Sequence, residues 1–259
     1  MTWFLRPVRS PAARLRLFTF PYGGGGASIF RDWPGYFCAE VEVCPARLPG
    51  RETRICEKPF TRMANLIPEL AVAVERYADL PFALFGHSMG ALIAFELSRN
   101  LSIRASNLLQ HVFVSSCRAP QKMPRDLRRH TLPDLELIAE MRRLGAPTEV
   151  LQNADLMTCL LPTMRADFEL VDTYRYEPGP RMPCRVSAFA GVADPEVNAF
   201  DLAAWAACTE SEMHVTTFPG DHFYIRDRAG LESLAGAISV DLSRYLRGAS
   251  DSGGTVKPG

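Results

Sequence analysis

The chain has 259 residues, 47% of them hydrophobic and 22% charged, which fits a soluble globular protein with a substantial core in one large α/β domain or two small ones. Lys+Arg and Asp+Glu number 29 each, so no net field draws nucleic acid to the surface. No apolar run approaches the ~20 residues that cross a bilayer, the N-terminal stretch has no signal-peptide core, and seven cysteines without a C-x-x-C pair speak against a disulfide framework or a zinc ribbon; a cytoplasmic protein with reduced thiols and no metal is expected.

LRLFTF (15–20) predicts the first strand, and FPYGGGGASIF follows it at once. The run Gly23–Gly26 lacks G-x-G-x-x-G spacing and no G-K-[ST] follows, so a phosphate loop is a weak reading. Two readings stand: a flexible turn, or a loop whose Gly23 N–H points at a reacting oxygen. AEVEVCPA (39–46) predicts a second strand, and TRMANLIPELAVAVERYADL carries apolar residues at helical spacing.

PFALFG (81–86) predicts a third strand, which leads through Gly86-His87-Ser88-Met89-Gly90 into the helix MGALIAFELSRN. G-x-S-x-G between strand and helix is the nucleophile-elbow pattern. A sharp turn forces strained angles on the serine, and a side chain at 86 or 90 would collide with the neighbouring strand or helix. Ser88 as a mere helix cap is the alternative. As a nucleophile it would sit beside the Met89 N–H, at the positive end of the helix.

HVFVSS (111–116) predicts a fourth strand, followed by no carboxylate before Asp126. Residues 118–176 break the strand–helix rhythm with helical pieces such as PDLELIAEMRRLG and NADLMTCLLPTMRADFELVDTY, which reads as a lid over the sheet edge. Within it Met141, Leu144, Leu156, Met157, Leu160, Leu161 and Phe168 either wall an apolar chamber or only pack lid helices together. Arg125, Arg128 and Arg129 form a basic cluster, a landing site for an acidic partner or a solvated face.

CRVSAFAG (184–191) predicts a fifth strand, with Asp194 just beyond it and Glu196 as a fallback acid. EMHVTTF (212–218) predicts a sixth, and FPGDHFYI then brings His222 over the C-terminal edge of the sheet, where parallel sheets bind ligands. Of the other histidines, His87 should point away from Ser88, and His111, His130 and His214 read as structural or solvated. Ser88, Asp194 and His222 thus have the order nucleophile, acid, base. AGLESLAGAISVDLSRYLRG predicts a last helix, and GASDSGGTVKPG (248–259) a disordered tail. The whole predicts one α/β domain over 1–247, a mostly parallel sheet with helices on both faces.

The segments FPYGGGGAS, ARLPGRETR, LFGHSMGALIAFEL, VFVSSCRAP, ELIAEMRRLGAP, LPTMRADFELVDTYRY, AGVADPEV and FPGDHFYI together resemble the type II thioesterases of polyketide and nonribosomal peptide biosynthesis, stand-alone enzymes of the α/β-hydrolase fold. The resemblance implies hydrolysis of acyl thioesters on the phosphopantetheine arm of acyl or peptidyl carrier proteins. Such enzymes remove stalled or misprimed groups or release an intermediate. It implies Ser88, Asp194 and His222 as the triad, the Gly23 and Met89 amides as the oxyanion hole, and no cofactor beyond the substrate's own phosphopantetheine; a monomer is expected. A carboxylesterase, or an acyl transferase or cyclase, would use the same triad. Two residues depart from the family pattern. Tyr22-Gly23 replaces His-Ala, where Tyr22 would narrow the pocket floor. Asp221 replaces the glycine before the histidine, where it would face water, cap the HFYI segment or stabilise the imidazolium.

Overall fold

The computed structural model describes residues 2–6, 10–101 and 103–248. Six parallel strands, β1 (Leu15–Phe20), β2 (Val41–Pro45), β3 (Phe82–His87), β4 (Leu109–Ser115), β5 (Arg185–Gly191) and β6 (Met213–Phe218), form one sheet in the order β2-β1-β3-β4-β5-β6. β1, β2 and β3 are buried along their whole length, including Arg16 and Glu42, which pair with each other at 2.9 Å and so let the alternating β1 and β2 lie inside the fold. β6, at the edge, exposes residues 214–217.

The helices are α1 (Met63–Glu75), α2 (Met89–Asn100), α3 (Ile103–Ser106), α4 (Asp134–Arg143), α5 (Thr148–Gln152), α6 (Ala154–Asp172), α7 (Ala199–Ala203) and α8 (Arg228–Gly248). Strand side chains alternate between two cores, as a period of two requires. Phe18, Phe20, Leu84 and Val112 pack with α1 and α2 on one face. Leu17, Phe85, Phe113 and Phe189 pack with Leu234, Ile238 and Leu242 of α8 on the other. The chain is therefore an α/β protein with a parallel sheet covered on both sides.

The strands lie within two residues of their predicted positions. β4 stops at Ser115 because Ser116 turns the chain at φ 48°. Residues 118–176 hold α4, α5 and α6 and no strand among the described residues. These three helices enclose a small core of their own, Met141, Leu151, Met157 and Met164, and the Asn153 side chain caps α6 by accepting the Leu156 N–H at 2.9 Å. Short α5 carries too few residues for a periodic signal. No described helix is long and apolar enough to cross a membrane, and all seven cysteines are unpaired. The expected disordered tail falls, beyond Gly248, outside the described residues.

A second serine–histidine–aspartate set lies buried between the sheet and α8. His111 Nε2 is 2.9 Å from Ser187 Oγ, and Ser187 donates to Asp241 at 2.7 Å. Ser187 is 1% exposed, so this set is interior scaffolding. Burial pushes the His111 imidazole down to about 4, with the Asp241 charge opposing. Its folded pKa is depressed, so between about pH 6.5 and 4 the unfolded chain takes a proton that the folded chain refuses, and stability falls with acidification by up to about 1.4 kcal/mol per pH unit from this residue. In urea titrations across this range His111→Gln should flatten the pH dependence by about one proton; an unchanged slope would contradict the assignment.

Candidate active site

Ser88 joins β3 to α2 with φ 55° and ψ −116°, angles that L-residues rarely adopt. Two glycines make the turn possible. A Cβ on Gly86 would lie 1.9 Å from the Gly90 carbonyl oxygen, and one on Gly90 would lie 2.1 Å from that of Phe20. The helix therefore packs backbone against backbone on β1 and β3. The Ser88 N–H donates to the Ser115 carbonyl at 2.7 Å, which ties the turn to β4. The hydroxyl caps nothing: no helical N–H reaches it, and its partner is instead His222 Nε2 at 3.0 Å.

His222 follows β6 through the Pro219-Gly220 turn, where Gly220 takes φ 120°. Its Nδ1 lies 3.0 and 3.1 Å from the two oxygens of Asp194, whose side chain is fully buried. Burial alone would raise the Asp194 pKa. The bond and charge of His222, with the Glu196 N–H on Oδ1 at 2.8 Å, outweigh it and hold the carboxyl below its ordinary range. Ser116 Oγ faces this carboxylate closely enough to favour its ionised form, yet outside hydrogen-bond geometry, and it has no partner among the described residues. Glu196 stands outside the line of three: its carboxylate pairs with Arg143.

His87 does point away from Ser88, but toward a task the sequence did not reveal. Its Nε2–H donates to the His222 carbonyl at 2.8 Å, and Nδ1 accepts from Ser115 Oγ at 2.9 Å. Ser115 is in turn 2.8 Å from the Tyr224 hydroxyl. Burial, and then the neighbouring His222, push His87 down to about 3, so it stays neutral and keeps this tautomer. A buried chain thus anchors the backbone of His222 from beneath.

One cavity opens onto Ser88, His222, Gly23 and Met89. Gly23 and Met89 line this cavity, and their amides have no hydrogen-bond partner among the described residues. Tyr22, Met141, Leu144 and Phe168 line it as expected, and Met164, not singled out in the sequence, joins them. Met157 and Leu160 do not, nor do Leu156 and Leu161. Leu160 and Met157 sit one and two turns before Met164 on the same stripe of α6, about 6 and 10 Å farther along its axis. There they pack in the α4–α6 core instead.

The basic cluster also divides. Arg125 and Arg128 are exposed, whereas the Arg129 side chain is 13% exposed and lines the cavity. Its Nε donates to buried Asp172 at 3.1 Å and its guanidinium lies 4.8 Å over the Phe168 ring, which takes it off any docking face. Asp221 accepts the Phe223 N–H at 2.8 Å and is exposed, so it caps the segment after the histidine. Tyr22 packs edge-on against Phe223, with ring centroids 4.9 Å apart. Among the described residues no group of three His, Cys, Asp or Glu side chains is arranged to hold a metal ion.

Known proteins resemble this chain over most of its length. The family model described as a thioesterase domain matches residues 15–242. The gramicidin S biosynthesis protein GrsT of Aneurinibacillus migulanus is 42% identical over 224 residues, 86% of this chain and 88% of that protein. RedJ, a thioesterase of the prodiginine pathway in Streptomyces coelicolor, superposes with a TM-score of 0.82 at 35% identity, covering 92% of each chain. The type II thioesterase BorB of the borrelidin biosynthetic cluster gives 0.84 at 32% identity, covering 93% of this chain and 97% of its own.

The two-glycine frame is directly testable. Gly90→Ala drives a methyl into the Phe20 carbonyl, so its urea midpoint should correspond to a loss of roughly 3 kcal/mol or more, against no loss and a gain of up to about 1 kcal/mol for Gly236→Ala, exposed inside α8 where a Cβ meets open space. Equal losses at the two positions would contradict the packing argument.

Proposed function

This chain belongs to the thioesterase family, and from that premise we propose that it hydrolyses acyl thioesters held on the phosphopantetheine arm of acyl or peptidyl carrier proteins, clearing stalled or misprimed groups from a polyketide or nonribosomal peptide assembly line. The observation that carries the reading is the continuous line Ser88–His222–Asp194, with contacts of 3.0 Å on both sides of the imidazole.

His222 Nε2 accepts the Ser88 proton as Oγ attacks the thioester carbonyl, and Asp194 stabilises the imidazolium that forms. The Gly23 and Met89 N–H groups donate to the tetrahedral oxyanion, which exists only after attack. The C–S bond then breaks and His222 returns its proton to the leaving sulfur, a mild demand because a thiol's pKa is about 8.5. Water, deprotonated by the same imidazole, attacks the acyl-serine, and collapse of that second intermediate frees the carboxylic acid and restores Ser88. The protein needs no cofactor of its own for these steps, and we place it in the cytoplasm as a monomer.

The chamber beside Ser88 is small, about 90 Å³, and apolar along Leu92, Met141, Leu144 and Phe168. Short acyl groups fit there without displacing α4 or α6. Exposed Arg125 and Arg128 are the residues that would meet an acidic carrier.

Intact-mass spectrometry of a panel of acylated carrier proteins tests the reading: loss of acyl mass with wild type, and a rate roughly 10⁴-fold lower with Ser88→Ala, is expected. Faster turnover of simple oxygen esters than of any acyl carrier would favour a carboxylesterase instead. Charge reversal at Arg125 and Arg128 should raise KM for the acyl carrier several-fold and leave acyl-pantetheine turnover unchanged; equal effects on both substrates would reject the docking role.

A further inference from the structure

Glycines 23–26 let the loop after β1 bend, and the turn bond within it, from the Gly25 N–H to the Tyr22 carbonyl at 2.9 Å, does not engage the Gly24 amide. Gly24 takes φ 78°, and glycine loses more freedom on ordering than any other residue. A hydrogen-bond donor on such a loop is useful to catalysis only if something else fixes its direction.

That restraint comes from a charged pair drawn from two distant parts of the chain. Asp167 on α6 accepts the Gly24 N–H through Oδ2 at 2.7 Å. The same oxygen accepts from Arg51 Nη1 at 2.7 Å, and Oδ1 accepts from Nη2 at 2.7 Å. Arg51 Nη1 also donates to the Gly25 carbonyl at 3.0 Å, and its Nε donates to the Pro49 carbonyl at 3.3 Å. The pair therefore grips the loop by one N–H and one C=O in succession. The Asp167 Cβ also lies 3.6 Å from where a Cβ on Gly23 would stand, so the residue packs against both glycines. Arg51 and Asp167 are 6% and 3% exposed.

Burying two charges costs several kcal/mol per ion, and apolar residues of similar volume often serve stability as well. Stability alone is thus a poor reason for this pair. A planar bidentate contact, by contrast, fixes geometry in a way an apolar contact cannot. Its location adds a second consequence. The stripe of α6 that carries Asp167 also carries Met164, Phe168 and Val171, which line the acyl chamber. Thr163, on the same helix, donates to the Gly50 carbonyl next to Arg51.

We propose that Arg51 and Asp167 are positioning residues for the oxyanion hole: they aim the Gly23 N–H, and because Asp167 rides on α6, the donor is aimed only while that helix is seated against the loop. The helix that touches the acyl group then also sets the competence of the site that attacks it. The proposal rests on the thioesterase reading for its substrate but not for its chemistry, since any reaction at Ser88 through a tetrahedral or phosphoryl oxyanion draws on the same donor.

Two variants, Asp167→Asn and Arg51→Lys, would be compared with wild type in two assays: the rate at which a fluorophosphonate labels Ser88, and kcat and KM for an acyl N-acetylcysteamine thioester. Labelling and kcat should fall together by roughly 10–100-fold with KM little changed, the mark of an interaction made in the transition state. The double variant should be no slower than the slower single one, because the pair acts as a unit. Rates are taken per folded molecule, from circular dichroism, so that lost stability is not read as lost positioning. Arg51→Lys keeps the buried charge balanced and decides the matter should Asp167→Asn not fold. Labelling and turnover of folded Arg51→Lys at wild-type rates would overturn the proposal. If wild type labels at Ser88 but hydrolyses no thioester, the proposed substrate is wrong, while the labelling comparison still decides the role of the pair.

Discussion

The backbone of Ser88 is the constraint on which the rest of the site depends. At φ 55° it costs of order 1–3 kcal/mol, and it persists because the surrounding structure leaves the chain no other course. Gly86 and Gly90 allow α2 to lie against β1 and β3 without an intervening side chain, and the Ser88 N–H is tied to β4. The hydroxyl is thereby lifted over the C-terminal edge of a parallel sheet. In such a sheet every strand ends on that edge, so the loops after β5 and β6 deliver Asp194 and His222 to the same place.

Around this point the fold assigns three kinds of support to the imidazole. Asp194 holds Nδ1 by charge, from a position where burial is offset by its hydrogen bonds. His87, kept neutral by burial, holds the backbone of His222 through its carbonyl. The Pro219-Gly220 turn and the Asp221 cap set the path of the chain on either side. A histidine restrained in this way has little freedom to leave the serine, so little reorganisation is required when the proton moves.

The sequence made the frame legible and left the wall obscure, for physical reasons. Short β-branched and aromatic runs set between helical patterns made all six strands visible. The elbow was visible because its two glycines and serine fall within five residues and their spacing is dictated by a single turn. The line of three could be placed from chain order and strand ends, since in a parallel sheet those fix location. Lid residues obey no such rule. Met157 and Met164 have the same chemistry and lie on the same stripe of α6, and only their distance along its axis separates the one that meets the cavity from the one that does not. Arg129 looked like its neighbours Arg125 and Arg128 until the buried Asp172 carboxylate drew it inward. The Arg51–Asp167 pair joins residues 116 apart in sequence, and although each stands in a segment that carries the family resemblance, nothing local shows that the two meet. The duty of His87 toward the His222 carbonyl spans 135 positions and was equally hidden.

The central claim is that the acyl group passes through Ser88 before it reaches water. The most direct measurement is the partition of one acyl group between water and added methanol, compared for its thioester and for its oxygen ester. A shared acyl-serine forgets its leaving group, so the ratio of acid to methyl ester should be the same for both substrates. A ratio that depends on the leaving group would mean that water attacks the substrate directly, and Ser88 would lose the role given to it here.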